Sequence, residues 1–176
     1  LAGDALQNLA FEVIGRADID DTKKIKLINT LSDAVGVYGM IGGQTIDIKN
    51  TEAFSKEKLL AMYGMKTGAL ITAACKMGCI CASEESSLAE EYGRNLGLAY
   101  QIIDDILDIT SDEQTLGKPI NSDREQNKAT FPEVFGLDEA YKAAKYYTAQ
   151  ALYAARSMPN CEELYEFTKS LLIRKN

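Results

Sequence analysis

Apolar residues recur along this chain at three- and four-residue spacing almost from end to end, the period of helices with one buried face. In the opening stretch Leu6, Leu9, Ala10, Val13 and Ile14 follow that rhythm, and Gly15 reads as a stop. A second helix is predicted over residues 22–48, with Ile25, Ile28, Leu31, Val35, Tyr38 and Ile41 on one stripe. It contains Gly36, Gly39, Gly42 and Gly43, each of which weakens a helix by about 1 kcal/mol relative to Ala. Two readings of those small residues stay open: close approach of another backbone, or room for a bulky ligand.

Ser55 supplies an N-cap for a helix over 56–82, and the next helix starts near Ser86 and runs into "QIIDDILDIT". Residues 111–130 are polar, hold Gly117 and Pro119, and read as a loop. A short helix over 131–135 comes next, then one from Asp138 toward Arg156. Asn160 caps a last helix with Glu162 and Glu163 in its first turn. No alternating strand pattern and no repeat intervenes. The expectation is an all-α fold, a bundle of long helices forming one domain over residues 1–176.

Composition changes this picture mainly by exclusion. With 46% of its 176 residues hydrophobic, the chain can fill a core. Its net charge is −7 and it has no long basic run, so nucleic acid and anionic membrane surfaces are poor partners. No run of about 18 uncharged apolar residues suggests a membrane span. The absence of His removes Ser-His-Asp and Cys-His nucleophile systems and imidazole acid–base chemistry. Cys75, Cys79, Cys81 and Cys161 show no two-by-two disulfide pattern and read as small buried side chains in a reducing cytoplasm. The Cys79–Cys81 pair has no matching second pair for a metal site. The opening "LAGDALQNLAFEVIG" has no initiator Met and no basic region ahead of an apolar block. It reads as the middle of something rather than as a signal peptide, with an N-terminal part of the functional unit expected outside these residues.

Chemistry concentrates at "LAYQIIDDILDITSDEQTLGK". Successive helical residues are about 100° apart, so Asp104, Asp105 and Asp108 share one arc, with Gln101 a turn earlier near the same side. Asp pairs near helix ends are often plain solvated surface, but this trio sits among Ile102, Ile103, Ile106, Leu107 and Ile109. Carboxylates on so apolar a wall call for a cation. Hard divalent ions suit them, and Mg²⁺ suits ligands on a rigid helix better than Ca²⁺. An EF-hand is excluded because "DITSDEQTLGKP" lacks Gly at its sixth position and Glu at its twelfth. Lys66 and Thr67 lie in the apolar "YGMKTGALITAA", where a Lys either snorkels to solvent or serves an anion in a cleft. Lys118 and Lys128 flank the loop. Three lysines, a Thr and a carboxylate trio suit a ligand that brings several negative oxygens together with metal, a diphosphate.

These segments, in order, resemble a known family. "GLAYQIIDDILDITSDEQTLGKP" and "DREQNKATFPEVFGLDEA" resemble the second aspartate-rich region of trans-isoprenyl diphosphate synthases, the farnesyl and geranylgeranyl diphosphate synthase family. "KTGALI" is similar to its Lys-Thr diphosphate motif, "LAGDAL" and "GGQTIDI" to segments upstream, and "LLIRKN" to its C-terminus. The resemblance implies a Mg²⁺-dependent prenyl transferase that condenses an allylic diphosphate with isopentenyl diphosphate, and a homodimer with the early helices at its interface. It implies Asp104 as the direct Mg²⁺ ligand, with Asp105 and Asp108 ligating or holding metal-bound water. Lys66, Lys118 and Lys128 would bind the allylic diphosphate, Thr67 and Gln101 would stand near the reacting carbon, and Gln44 and Asp47 would belong to the site wall. The family's first aspartate-rich motif precedes the segment that "LAGDAL" resembles. The chain is therefore expected to supply one wall of a two-walled metal site and not to condense substrates alone. Tyr63 and Met65 stand where the family has a His before its Lys-Thr motif. Two alternatives carry different chemistry: a non-catalytic subunit pairing through the Gly-rich second helix, and a class I terpene cyclase.

Overall fold

A computed structural model describes residues 1–49, 54–110 and 129–172. Among these the secondary structure is helical, with no strand: α1 (Ala2–Arg16), α2 (Asp21–Val35), α3 (Met40–Lys49), α4 (Lys56–Tyr63), a π-helical turn (Gly64–Gly68), α5 (Ala69–Ala82), α6 (Ser87–Thr110), α7 (Phe131–Phe135), α8 (Leu137–Ser157) and α9 (Glu162–Leu172).

The caps explain most boundaries. Asp20 accepts from the N–H groups of Thr22 at 2.9 Å and Lys23 at 3.3 Å, and Ser55 accepts from Lys58 N–H at 3.3 Å. Gly15 does not stop the first helix, which continues to Arg16 and closes at Ala17. The helix expected over 22–48 is two helices. Gly36 leaves the helical region with an extended backbone, and the chain turns through Gly39 before α3 begins. Asn160 is not an N-cap: it has φ of 52°, and the first carbonyl accepted into α9 is that of Cys161, from Tyr165 N–H at 2.8 Å.

Helix α6 is the spine. α8, α5 and the π turn all pack against it. An alanine stripe, Ala140, Ala143, Ala144, Ala151, Ala154 and Ala155, faces inward from α8 and lets that helix approach closely. One core cluster joins Leu59, Met62, Ile102, Ile106 and Phe131, and burying each such side chain stabilises by about 1.5–3 kcal/mol. A second joins Tyr92, Leu96 and Ala99 to α8. There Thr168 donates to the Leu164 carbonyl, so the Tyr92 hydroxyl supplies the proton for the 2.8 Å bond between them, tying α6 to α9.

The early helices are less covered. In α1 only Ile14 is buried, while Leu6, Leu9 and Val13 are exposed. On the stripe expected for the second helix, only Leu31 and Val35 are buried, joined by Leu27; Ile25, Ile28, Tyr38 and Ile41 face outward. The cysteines are free thiols, but not all interior: Cys81 is exposed and the others half-buried. No helix among the described residues is long and apolar enough to cross a membrane.

Candidate functional site: a π-helical turn against the acidic helix

Helices α4 and α5 are one rod interrupted by a widened turn rather than a break. Across Gly64–Gly68 the flanking residues Tyr63 and Ala69 keep right-handed helical dihedrals. Such single π turns carry an extra residue and frequently mark functional positions. Lys66 and Thr67 sit inside it. Two glycines let neighbouring backbones reach this turn: a Cβ on Gly43 of α3 would come within 2.3 Å of Lys66 N, and one on Gly97 of α6 within 2.5 Å of Gly68 Cα. At Gly43, close backbone approach is thus the reason for the small residue.

The turn presents its side chains to two elements. Toward α3, Lys66 Nζ lies 2.6 Å from Asp47 Oδ2; Asp47 is buried and Lys66 half-buried, so the ammonium is anchored rather than trailing in solvent. Toward α6, the Thr67 hydroxyl donates to Gln101 Oε1 at 2.8 Å, and Gln101 Nε2 donates to Asp105 Oδ1 at 3.0 Å. The other Asp105 oxygen accepts from the Tyr63 hydroxyl and, at 3.0 Å, from Phe131 N–H; that N–H is also 2.9 Å from the Tyr63 oxygen. Tyr63, Asp105 and Phe131 are all buried, so α4, α6 and the start of α7 meet in one desolvated polar knot. Burial first, and the Asp105 charge second, push the Tyr63 hydroxyl far above its ordinary range, so it stays a donor.

Lys66, Thr67, Gln101 and Asp105 are therefore brought together, and Asp47 with them; Gln44 is exposed on α3. The three aspartates differ in setting. Asp105 and Asp108 are each 2% exposed, whereas Asp104 is half-buried. Lys118 and Lys128 lie outside the described residues. Among the described residues no three Cys, Asp or Glu side chains are grouped so as to hold a metal ion. The donor set still fits Mg²⁺, which typically takes one or two carboxylates and completes its shell with water and phosphate oxygens rather than a protein cage. Asp105 is engaged by three protein donors, and Asp104 is the least buried of the three carboxylates.

A mainly apolar cavity of about 490 Å³ opens between α1, α2 and the start of α5, lined by Leu6, Ala10, Leu31, Val35 and Leu70, with Asp4 and Gln7 also on its wall. Of its lining residues, Leu70 lies nearest in sequence to the π turn, three positions after Thr67. Sequence reasoning missed Tyr63 as a buried hydrogen-bonding group and Asp47 as the partner of Lys66. The first had a signal, a Tyr one turn before Lys66 in an apolar run. The Phe131 contribution is a backbone N–H and had none.

The polyprenyl synthetase family model matches residues 1–168. The chain belongs to that family. Among polyprenyl synthetases, it is 39% identical to the farnesyl diphosphate synthase of Escherichia coli, over 82% of this chain and 51% of that protein. With the farnesyl diphosphate synthase of Haemophilus influenzae it shares 36% identity, over 100% of this chain and 62% of the relative. A solved geranyltransferase from Helicobacter pylori, complexed with magnesium and isoprenyl diphosphate, superposes with a TM-score of 0.81 at 31% identity, covering 97% of this chain and 57% of that one. The chain spans roughly half to three-fifths of these relatives.

Proposed function

We propose that this chain builds the diphosphate-ionising wall of a Mg²⁺-dependent prenyl transferase, which condenses an allylic diphosphate with isopentenyl diphosphate to a longer prenyl diphosphate. The observation that carries the reading is the π turn: it sets an anchored ammonium, Lys66, beside a hydroxyl–carboxamide pair, Thr67 and Gln101, on the flank of the aspartate helix.

Each side chain then has a task. When the allylic C–O bond breaks, its electron pair leaves with the diphosphate. Lys66, held by Asp47, stands ready to take up part of that charge, and Lys118 and Lys128 join it by the family pattern. Thr67 and Gln101 turn oxygen toward the carbon that loses the pair. The double bond of isopentenyl diphosphate forms the new C–C bond, and a proton is lost. Asp104, with Asp108, would hold Mg²⁺, which when bound neutralises the departing oxygens. The apolar cavity beside Leu70 suits a hydrocarbon tail. Exposed Leu6, Leu9, Val13, Ile25 and Ile28 support a homodimer through the early helices, and four free thiols support a cytoplasmic setting.

Asp104→Ala in the intact protein is expected to lower turnover on the order of 10²–10³-fold, the loss typical of removing one electrostatic stabiliser. Turnover within a few-fold of wild type would sink the assignment. Calorimetry with pyrophosphate, with and without Mg²⁺, separates this from a subunit that only pairs with a synthase. Such a subunit would show no Mg²⁺-dependent binding.

A further inference from the structure

The hydrogen bonds around Gln101 run in one direction only. The NH₂ side of the Gln101 carboxamide faces Asp105 and donates to its Oδ1. That leaves the carbonyl side for Thr67, which must donate its single hydroxyl proton there. The row thus runs one way, from the Thr67 hydroxyl through the Gln101 carboxamide to Asp105. Asp105 is itself fixed from behind by Tyr63, whose hydroxyl stays protonated in its buried site, and by Phe131 N–H. With its proton committed to Gln101, the Thr67 hydroxyl can act toward anything else only as an acceptor.

We propose that Asp105 is a positioning residue rather than a metal ligand: clamped by Tyr63 and Phe131 N–H, it sets the Gln101 carboxamide so that Thr67 offers only oxygen to the carbon from which diphosphate departs. The inference rests on the prenyl-transfer reading and deepens it, assigning the second aspartate of the trio a task distinct from those of Asp104 and Asp108. The chemistry favours the arrangement. A carbon losing an electron pair is stabilised by lone pairs and destabilised by a hydroxyl proton pointed at it. Asp105→Asn would let the new amide donate to Gln101, flip the carboxamide, and turn the Thr67 proton into the cleft.

The test compares Asp105→Asn, the milder Tyr63→Phe, and Asp104→Ala in the intact protein. The Asn variant is expected to lose about 10- to 100-fold in kcat, the range for a misoriented site group. Its KM for the allylic diphosphate and its half-saturating Mg²⁺ concentration should stay within about two-fold, a split that general unfolding would not produce. Tyr63→Phe should show the same split to a lesser degree, and Asp104→Ala should raise the Mg²⁺ requirement. A rise of about tenfold or more in half-saturating Mg²⁺ for Asp105→Asn, or an unchanged kcat, would overturn the proposal. A second readout needs no turnover: the ¹⁵N spectrum of the Gln101 side-chain amide. Its two protons should be well separated and protected from exchange in the parent protein, and shifted in Asp105→Asn. Freely exchanging amide protons, unmoved by the substitution, would also overturn it. If the parent protein makes no prenyl product while the amide signature is present, the prenyl-transfer reading fails and the hydrogen-bond row stands.

Discussion

Burial, and behind it the negative charge of Asp105, hold the Tyr63 hydroxyl protonated well beyond the 10.0 of an ordinary tyrosine. The consequence for stability has a definite sign. In the unfolded chain Tyr63 releases its proton near pH 10, while the folded chain keeps it, so this group's contribution is intact below pH 10 and is lost as pH rises above it. One proton corresponds to a slope of about 1.4 kcal/mol per pH unit. Urea midpoints measured between pH 9 and 11 should fall steeply for the parent protein and less steeply for Tyr63→Phe. Tyr92 and Tyr147, whose hydroxyls burial also raises, keep some slope in the variant. At this scale the sequence was partly legible. Gln101 and Asp105 are one helical turn apart, so their contact could be read from spacing. Thr67 lies 34 positions from Gln101 and Lys66 19 from Asp47, and no local period reports such pairings.

Helices themselves were easier to read, because period and caps act within a few residues: Ser55 and the extent of α6 are where the pattern puts them. The errors have physical causes. Residues 22–48 keep an apolar rhythm through a region where Gly36 extends the chain, and rhythm alone does not register a turn. The π turn was invisible because a single extra residue leaves composition unchanged while rotating the helix beyond it. The packing of α3 on this turn is the tightest point of the site. Gly43→Ala would place a methyl 2.3 Å from a backbone nitrogen, which cannot yield as a side chain tip can. Such overpacking typically costs about 1–3 kcal/mol. Thermal melts of this variant should show a clear drop in Tm. An unchanged Tm would mean that α3 can slide away from the turn freely.

For the whole molecule, the contrast is between a well-filled middle and an open apolar flank. Helices α6 and α8 close on each other through alanines, whereas α1 and α2 leave Leu9 48% and Ile25 59% exposed. Composition signalled a core but could not say which apolar stripes fill it, because a stripe facing a partner and a stripe facing the interior have the same period. In the proposed homodimer these side chains are covered, and a stable interface needs about 800 Å² from each partner. Leu9→Lys together with Ile25→Glu should move the light-scattering mass of the intact protein from two chains to one, with little change in far-ultraviolet dichroism. A mass that stays at two chains would place the dimer contact elsewhere.

The widened turn at Gly64–Gly68 also bears on how this chain tolerates change in length. Removing one residue there would let the rod close into an unbroken α-helix, with more regular hydrogen bonding than it has now. The same deletion would rotate all of α4 by about 100° relative to α5. Tyr63 would turn away from Asp105 while Thr67 stayed beside Gln101. A shortened chain of this kind would be a better helix with its hydrogen-bonded site out of register. The extra residue thus works as a phase shift between two stretches of one rod, and a later insertion or deletion within α4 or α5 would be harmless only if it preserved that phase.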